Sequence, residues 1–175
     1  MSDFDQRLPL DQIRDGDRLD LSANEAECAA IAGRLGLLCL DRLEAHAVLA
    51  RDGEKIRATG RIKASLDQSC VATGEPVPGL VDEAFDISFV PEPRAGKADD
   101  EVELGADELD TMFHDGSAIE LGSAIVDSLA LALDPYPRSA GADAALKEAG
   151  VLSEQEAGPF AALAALKEKL GGNGP

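Results

Sequence analysis

Lys55-Ile-Arg-Ala-Thr-Gly-Arg-Ile-Lys-Ala-Ser-Leu66 alternates without a break. Ile56, Ala58, Gly60, Ile62, Ala64 and Leu66 fall on one side, and Lys55, Arg57, Thr59, Arg61, Lys63 and Ser65 on the other. Successive side chains of a strand point to opposite faces, so the pattern predicts a strand with one buried and one wet face. Upstream, Leu38, Leu40, Leu43, Ala45, Ala47 and Leu49 are spaced mostly by two and predict a partner strand. Asp52-Gly53 between the two runs supplies hairpin chemistry. Downstream, the run Leu80 to Val90 places Val81, Phe85, Ile87 and Phe89 in approximate alternation and predicts a third strand.

Further out the period changes. Ser22-Ala-Asn-Glu25 has the S-x-x-E form of a capping box, in which hydroxyl and carboxylate satisfy first-turn amides reciprocally. Alanines at 26, 29, 30 and 32 follow, and Gly36 is a natural stop, so a helix is expected near 23–35. Before it, Phe4–Leu10 and Arg18–Leu21 read as short extended pieces around an Asp15-Gly16-Asp17 turn. Residues 91–101, with two prolines and the Asp99-Asp100-Glu101 cluster, read as an exposed acidic loop. Val102–Leu104 and Leu109–Phe113 are weaker strand candidates. Ser117-Ala-Ile-Glu120 repeats the capping-box form ahead of Leu121, Ile125, Leu129 and Leu133, predicting an amphipathic helix near 118–133. Asp134-Pro-Tyr-Pro137 ends it, because proline cannot continue helical hydrogen bonding.

The expected fold is therefore α+β. A mostly antiparallel sheet, with enough strands to curl toward a barrel, packs against two capped helices within residues 1–137. Residues 138–175 are expected as an appendage, with short helices at Ala142–Glu148 and Pro159–Leu170.

Composition narrows the function. A chain of 175 residues, 45% hydrophobic, can bury roughly 70% of its unfolded surface. With 3% aromatics, no Trp and one Tyr, its core must be mainly aliphatic. Asp and Glu number 34 against 16 Lys and Arg, a net charge of −18. Nucleic acid and anionic membranes should repel such a chain as a whole, whereas a basic partner suits it. The same acidity also serves plain solubility. Cys28, Cys39 and Cys70 are odd in number and form no C-x-x-C pair, which points to a reducing compartment without disulfide or zinc. No signal peptide and no spanning run is visible, so a cytoplasmic location is expected. His46 and His114 stand in unrelated contexts, and no phosphate-binding loop or H-E-x-x-H occurs. No catalytic residue, metal ligand, cofactor or small-molecule substrate is expected, and the chain reads as a non-enzyme.

One local feature departs from the acidic background. Between Arg34 and Lys63 there are seven bases against four acids, a balance of +3 that leaves −21 on the rest. Arg51, Lys55, Arg57, Arg61 and Lys63 are the candidate contacts for RNA or another partner. They form a phosphate-contacting patch on one reading, and on the other a solvated strand face balanced by cross-strand acids. The patch has no interleaved aromatics for base stacking.

Three stretches together carry a family resemblance. They are Cys70-Val-Ala-Thr-Gly-Glu-Pro76 with the strand after it, Glu103 through Leu129-Ala-Leu-Ala-Leu-Asp-Pro-Tyr-Pro137, and Gly158-Pro-Phe-Ala-Ala-Leu-Ala-Ala-Leu-Lys-Glu-Lys169. In this order and spacing they resemble the YceD family of large ribosomal RNA accumulation proteins. The resemblance implies a factor for accumulation of 23S ribosomal RNA in bacteria, partnered by a large-subunit precursor through its rRNA or a basic ribosomal protein. Many members carry a C-x-x-C-x-x-P-like turn where this chain has Cys70 and Thr73. One thiolate cannot hold zinc, so a structural turn is expected at Cys70–Pro76. An acidic interaction module unrelated to ribosomes is the competing expectation.

Overall fold

The computed structural model describes residues 4, 7–92 and 110–151. Its contacts divide the chain into two compact units, Met1–Gln68 with Pro78–Pro135, and Ser69–Val77 with Tyr136–Pro175. The described elements run β1 (Leu8–Pro9), a 3-10 turn (Leu10–Gln12), β2 (Arg18–Ser22), α1 (Glu25–Leu35), β3 (Cys39–Asp52), β4 (Lys55–Ser69) and β5 (Pro76–Pro91). After them come β6 (Thr111–His114), β7 (Ala118–Ile119), α2 (Leu121–Ala132) and α3 (Ala142–Glu148). The fold is α+β.

In the first unit a five-stranded sheet has the order β2-β3-β4-β5-β6, and β1 pairs separately with β7. The β2–β3 and β3–β4 pairs are antiparallel, while β5–β6 is parallel. Among the described residues the sheet is open, with β2 and β6 at its edges, and it does not close into a barrel.

Strand β4 behaves as its alternation requires. Ile56, Ala58, Ile62, Ala64 and Leu66 are buried, and Arg57, Thr59, Arg61 and Lys63 are exposed. Strand β3 buries Leu40, Leu43, Ala45, Ala47 and Leu49. Its step of three from Leu40 to Leu43 coincides with a register shift between Leu40 and Arg42, where an extra residue returns the apolar set to the core face. Gly53 sits at the hairpin tip with φ 62°, a left-handed conformation that glycine adopts without strain. Phe85, Ile87 and Phe89 of β5 join the same core, as do Cys28 and Ala32 of α1 and Ile125 and Leu129 of α2. Burial in these aliphatic surroundings pushes the Cys28 thiol up.

Neither S-x-x-E pair caps its helix. Ser22 is still in β2, paired with Glu44, so the helix cannot begin beside it. Asn24 is the cap instead. Its Oδ1 accepts from Glu27 N at 3.0 Å, and Glu27 Oε2 accepts from Asn24 N at 2.7 Å. The other oxygen of Glu27 accepts from Phe4 N at 2.8 Å, anchoring the N-terminal segment. Ser117 is no cap either, because Ala118 and Ile119 are committed to β7. Its amide and hydroxyl donate to Asp115 Oδ1 at 2.8 and 2.5 Å. Those two donations hold the Asp115 carboxyl at about 2. Helix α2 then starts at Leu121 without a side-chain cap and ends before Asp134-Pro135.

In the second unit α3 spans the expected Ala142–Glu148. The Val102–Leu104 strand, the Pro159–Leu170 helix and most of the 91–101 loop lie outside the described residues. Among the described residues, no helix is long and apolar enough to cross a membrane.

Candidate functional site: the outer sheet face

Period-two geometry sends the odd-numbered residues of β4 to the outer face, and β2, β3 and β5 contribute their own outward residues beside them. A row of charged groups results. Asp20 of β2 lies opposite His46 of β3, His46 lies opposite Arg61 of β4, and Arg61 pairs with Asp82 of β5. Next to it, Ser22 faces Glu44 and Glu44 faces Lys63. A shallow depression of about 450 Å³ over this region is lined by Asp20, Ser22, Glu44, His46, Arg61 and Lys63.

The five expected contact residues do not share one role. Arg51 is a clamp: its Nη1 donates to the Leu10 carbonyl and, at 2.8 Å, to Ile13 O, while Nε donates to Gly53 O at 3.1 Å. It thereby ties the 3-10 turn to the β3–β4 hairpin. Lys55 lies opposite Asp52 in that hairpin. Arg57 grips Asp86 with two donations, one from Nε at 2.7 Å and one from Nη2. Arg61 pairs with Asp82 through Nε. Lys63 makes no ion pair among the described residues, but its charge helps to lower the Asp82 carboxyl, after the Arg61 hydrogen bond as the main cause. The structure thus brings Arg57, Arg61 and Lys63 together and removes Arg51 to a separate task.

Counting only residues 34–63 missed the acids that balance this face. Asp20, Asp82 and Asp86 come from β2 and β5, outside that window. A signal for two of them was present: Asp82 and Asp86 are four apart, as are Arg57 and Arg61. On adjacent antiparallel strands that spacing matches charge to charge on one face. Arg57 reaching Asp86 while Arg61 reaches Asp82 is the opposed order such strands require.

The two histidines differ. His46 is exposed, with Nδ1 2.5 Å from Asp20 Oδ1. No hydroxyl contacts its Nε2 among the described residues, so this base–orienter pair lacks the nucleophile of a triad. His114 is buried. Gly116 N donates to its Nδ1 at 3.1 Å, which places the ring proton on Nε2, and Nε2 donates to Glu54 O at 2.8 Å. It links β6 to the β3–β4 turn.

Within the second unit, the Cys70–Pro76 turn is closed by hydrogen bonds. Cys70 N donates to Glu75 O at 2.8 Å, and Ser139 N donates to Cys70 Sγ at 3.3 Å. The Ser139 amide, then the Thr73 hydroxyl, lower the Cys70 thiol to about 6. Thr73 therefore supports the sulfur through its hydroxyl. Ser139 Oγ also donates to Glu75 at 2.8 Å. Among the described residues, no group of three or more His, Cys, Asp or Glu is placed to hold a metal ion.

Fold and surface together define an acidic α+β protein whose most developed feature is a charge-paired sheet face. Residues 58–167, more than half of the chain, match the family described as large ribosomal RNA subunit accumulation protein YceD. The chain belongs to that family. No curated protein and no solved structure matches it.

Proposed function

We propose that the chain is a non-catalytic, cytoplasmic factor that supports accumulation of large-subunit ribosomal RNA by holding a basic ribosomal protein before assembly. The family description supplies the ribosomal connection. The observation that carries the choice of partner is the pairing of Arg57 with Asp86 and of Arg61 with Asp82. A phosphate would have to compete with these carboxylates and approach a chain of charge −18. Phosphate contacts depend on uncompensated cations, and this face offers few.

Sucrose-gradient co-migration with large-subunit precursors tests the general role. Recovery only in the free fraction at gentle salt would end it. Neutralising Arg57, Arg61 and Lys63 to Gln tests the route. Co-migration is expected to persist. A collapse of affinity for pre-ribosomal RNA in that variant would instead make this face the RNA contact.

A further inference from the structure

Strand β5 is 16 residues long, but β6 covers only its last stretch, Ser88–Pro91. Among the described residues, no strand pairs with positions 78–87 on the side away from β4. Such an edge presents backbone donors and acceptors along one line and is a template for an added strand. A groove of about 890 Å³ adjoins it, lined by Glu83, Ala84 and Asp86 of β5, by Asp110, and by Ser128 and Leu131 of α2. Leu131 is 81% exposed, a large aliphatic side chain left in water. The groove holds three carboxylates and no base. Arg57 balances Asp86, whereas Glu83 and Asp110 make no ion pair among the described residues.

We infer that this groove takes an extended basic segment of a partner protein, added as a strand along residues 80–87 of β5. Main-chain hydrogen bonds to residues 80–87, unpaired on this side among the described residues, hold the segment. Its Lys or Arg side chains meet Glu83, Asp86 and Asp110, and an apolar one covers Leu131. In strand addition the backbone supplies affinity and the flanking side chains supply preference. Charge selects the partner class: RNA would meet three carboxylates here, and an acidic peptide would be repelled equally. The inference rests on the proposed function and assigns a surface to it.

The test uses the full chain and an eight-residue peptide of alternating Lys and Val. Two further copies carry N-methyl groups on one or the other alternate set of amides. The parent peptide is expected to bind and to shift the amide resonances of residues 80–87. Only one peptide edge faces β5, so one methylated copy loses about tenfold or more in affinity and the other keeps it. Glu83→Lys combined with Asp110→Lys costs a similar factor, and Leu131→Ser costs a few-fold. These positions are exposed, and unchanged amide shifts elsewhere verify the fold. No binding, equal binding of both methylated copies, or equal binding by the charge-reversed variant would each overturn the inference. Gradient co-migration of the charge-reversed variant separates the two claims. If it persists, this groove is not the docking surface and the ribosomal role stands. If the natural chain itself fails to co-migrate, the ribosomal role falls whatever the peptide does.

Discussion

The inner and outer faces of β4 come from the same twelve-residue alternation, Lys55–Leu66, yet they obey different rules. On the inner face, Ile56, Ala58, Ile62, Ala64 and Leu66 are buried in a core shared with α1 and α2. That outcome is local, since once the chain is extended every second residue points inward. On the outer face the four exposed residues Arg57, Thr59, Arg61 and Lys63 read as a basic stripe. The stripe disappears when the neighbours arrive, because β2 and β5 bring Asp20, Asp82 and Asp86. Burial in a strand is a property of its own period. Charge on a sheet is a property of the strands beside it.

The inner face should break most easily at Gly60. A Cβ built there would lie 1.9 Å from the His46 carbonyl oxygen and 2.7 Å from Phe85 Cζ. The first obstacle is backbone and cannot swing aside, so Gly60→Ala must push β3 from β4 or evict the Phe85 ring. Overpacking of this kind costs about 3 kcal/mol or more. Ile62→Ala, which leaves a cavity at a fully enclosed position, should cost about 3 kcal/mol as well. Urea unfolding measures both. A Gly60→Ala variant with wild-type stability would mean that β3 and β4 are farther apart here than described.

Arg51 follows neither rule. It belongs to the basic run, but its guanidinium is spent on the carbonyls of Leu10, Ile13 and Gly53. Arg51→Gln should therefore cost about 2 kcal/mol, since partly buried carbonyls lose a charged donor. Hydrogen exchange should rise in residues 10–14 before it rises in the sheet. An effect confined to binding, with stability unchanged, would return Arg51 to the contact surface.

The fold was legible where a signal is carried by a single element. The strands β3 to β5, the α3 boundaries and the stop at Asp134-Pro135 all depend on residues within a few positions of each other. The helix starts were displaced because a capping box competes with whatever else its residues are asked to do. Ser22 was claimed by its ladder with Glu44, and Ser117 by Asp115. Neither competitor lies in the four-residue motif. The site was less legible for the same reason at longer range. Asp86 is 29 positions from Arg57, and Asp20 is 26 from His46. That β6 pairs with β5 only over Ser88–Pro91 is likewise set at long range, and no composition reports it.

The Arg57–Asp86 pair shows how little the outer face contributes to stability. Both side chains are about half exposed, so solvent screens them, and a double-mutant cycle with Arg57→Gln and Asp86→Asn should give at most about 1 kcal/mol. Its pH dependence is fixed by sign. Hydrogen bonding to Arg57 holds the Asp86 carboxyl below its usual value. A depressed native value means that the unfolded chain binds the proton more readily. The coupling is therefore complete above the unfolded value near about 4 and fades as pH falls through the lower native one. High salt should shrink it at neutral pH, because exposed charges are screened within a short distance. Coupling well above this range, or one that survives acid and salt unchanged, would mean that the outer face is packed and desolvated. It would then no longer be an open surface balanced by its own acids.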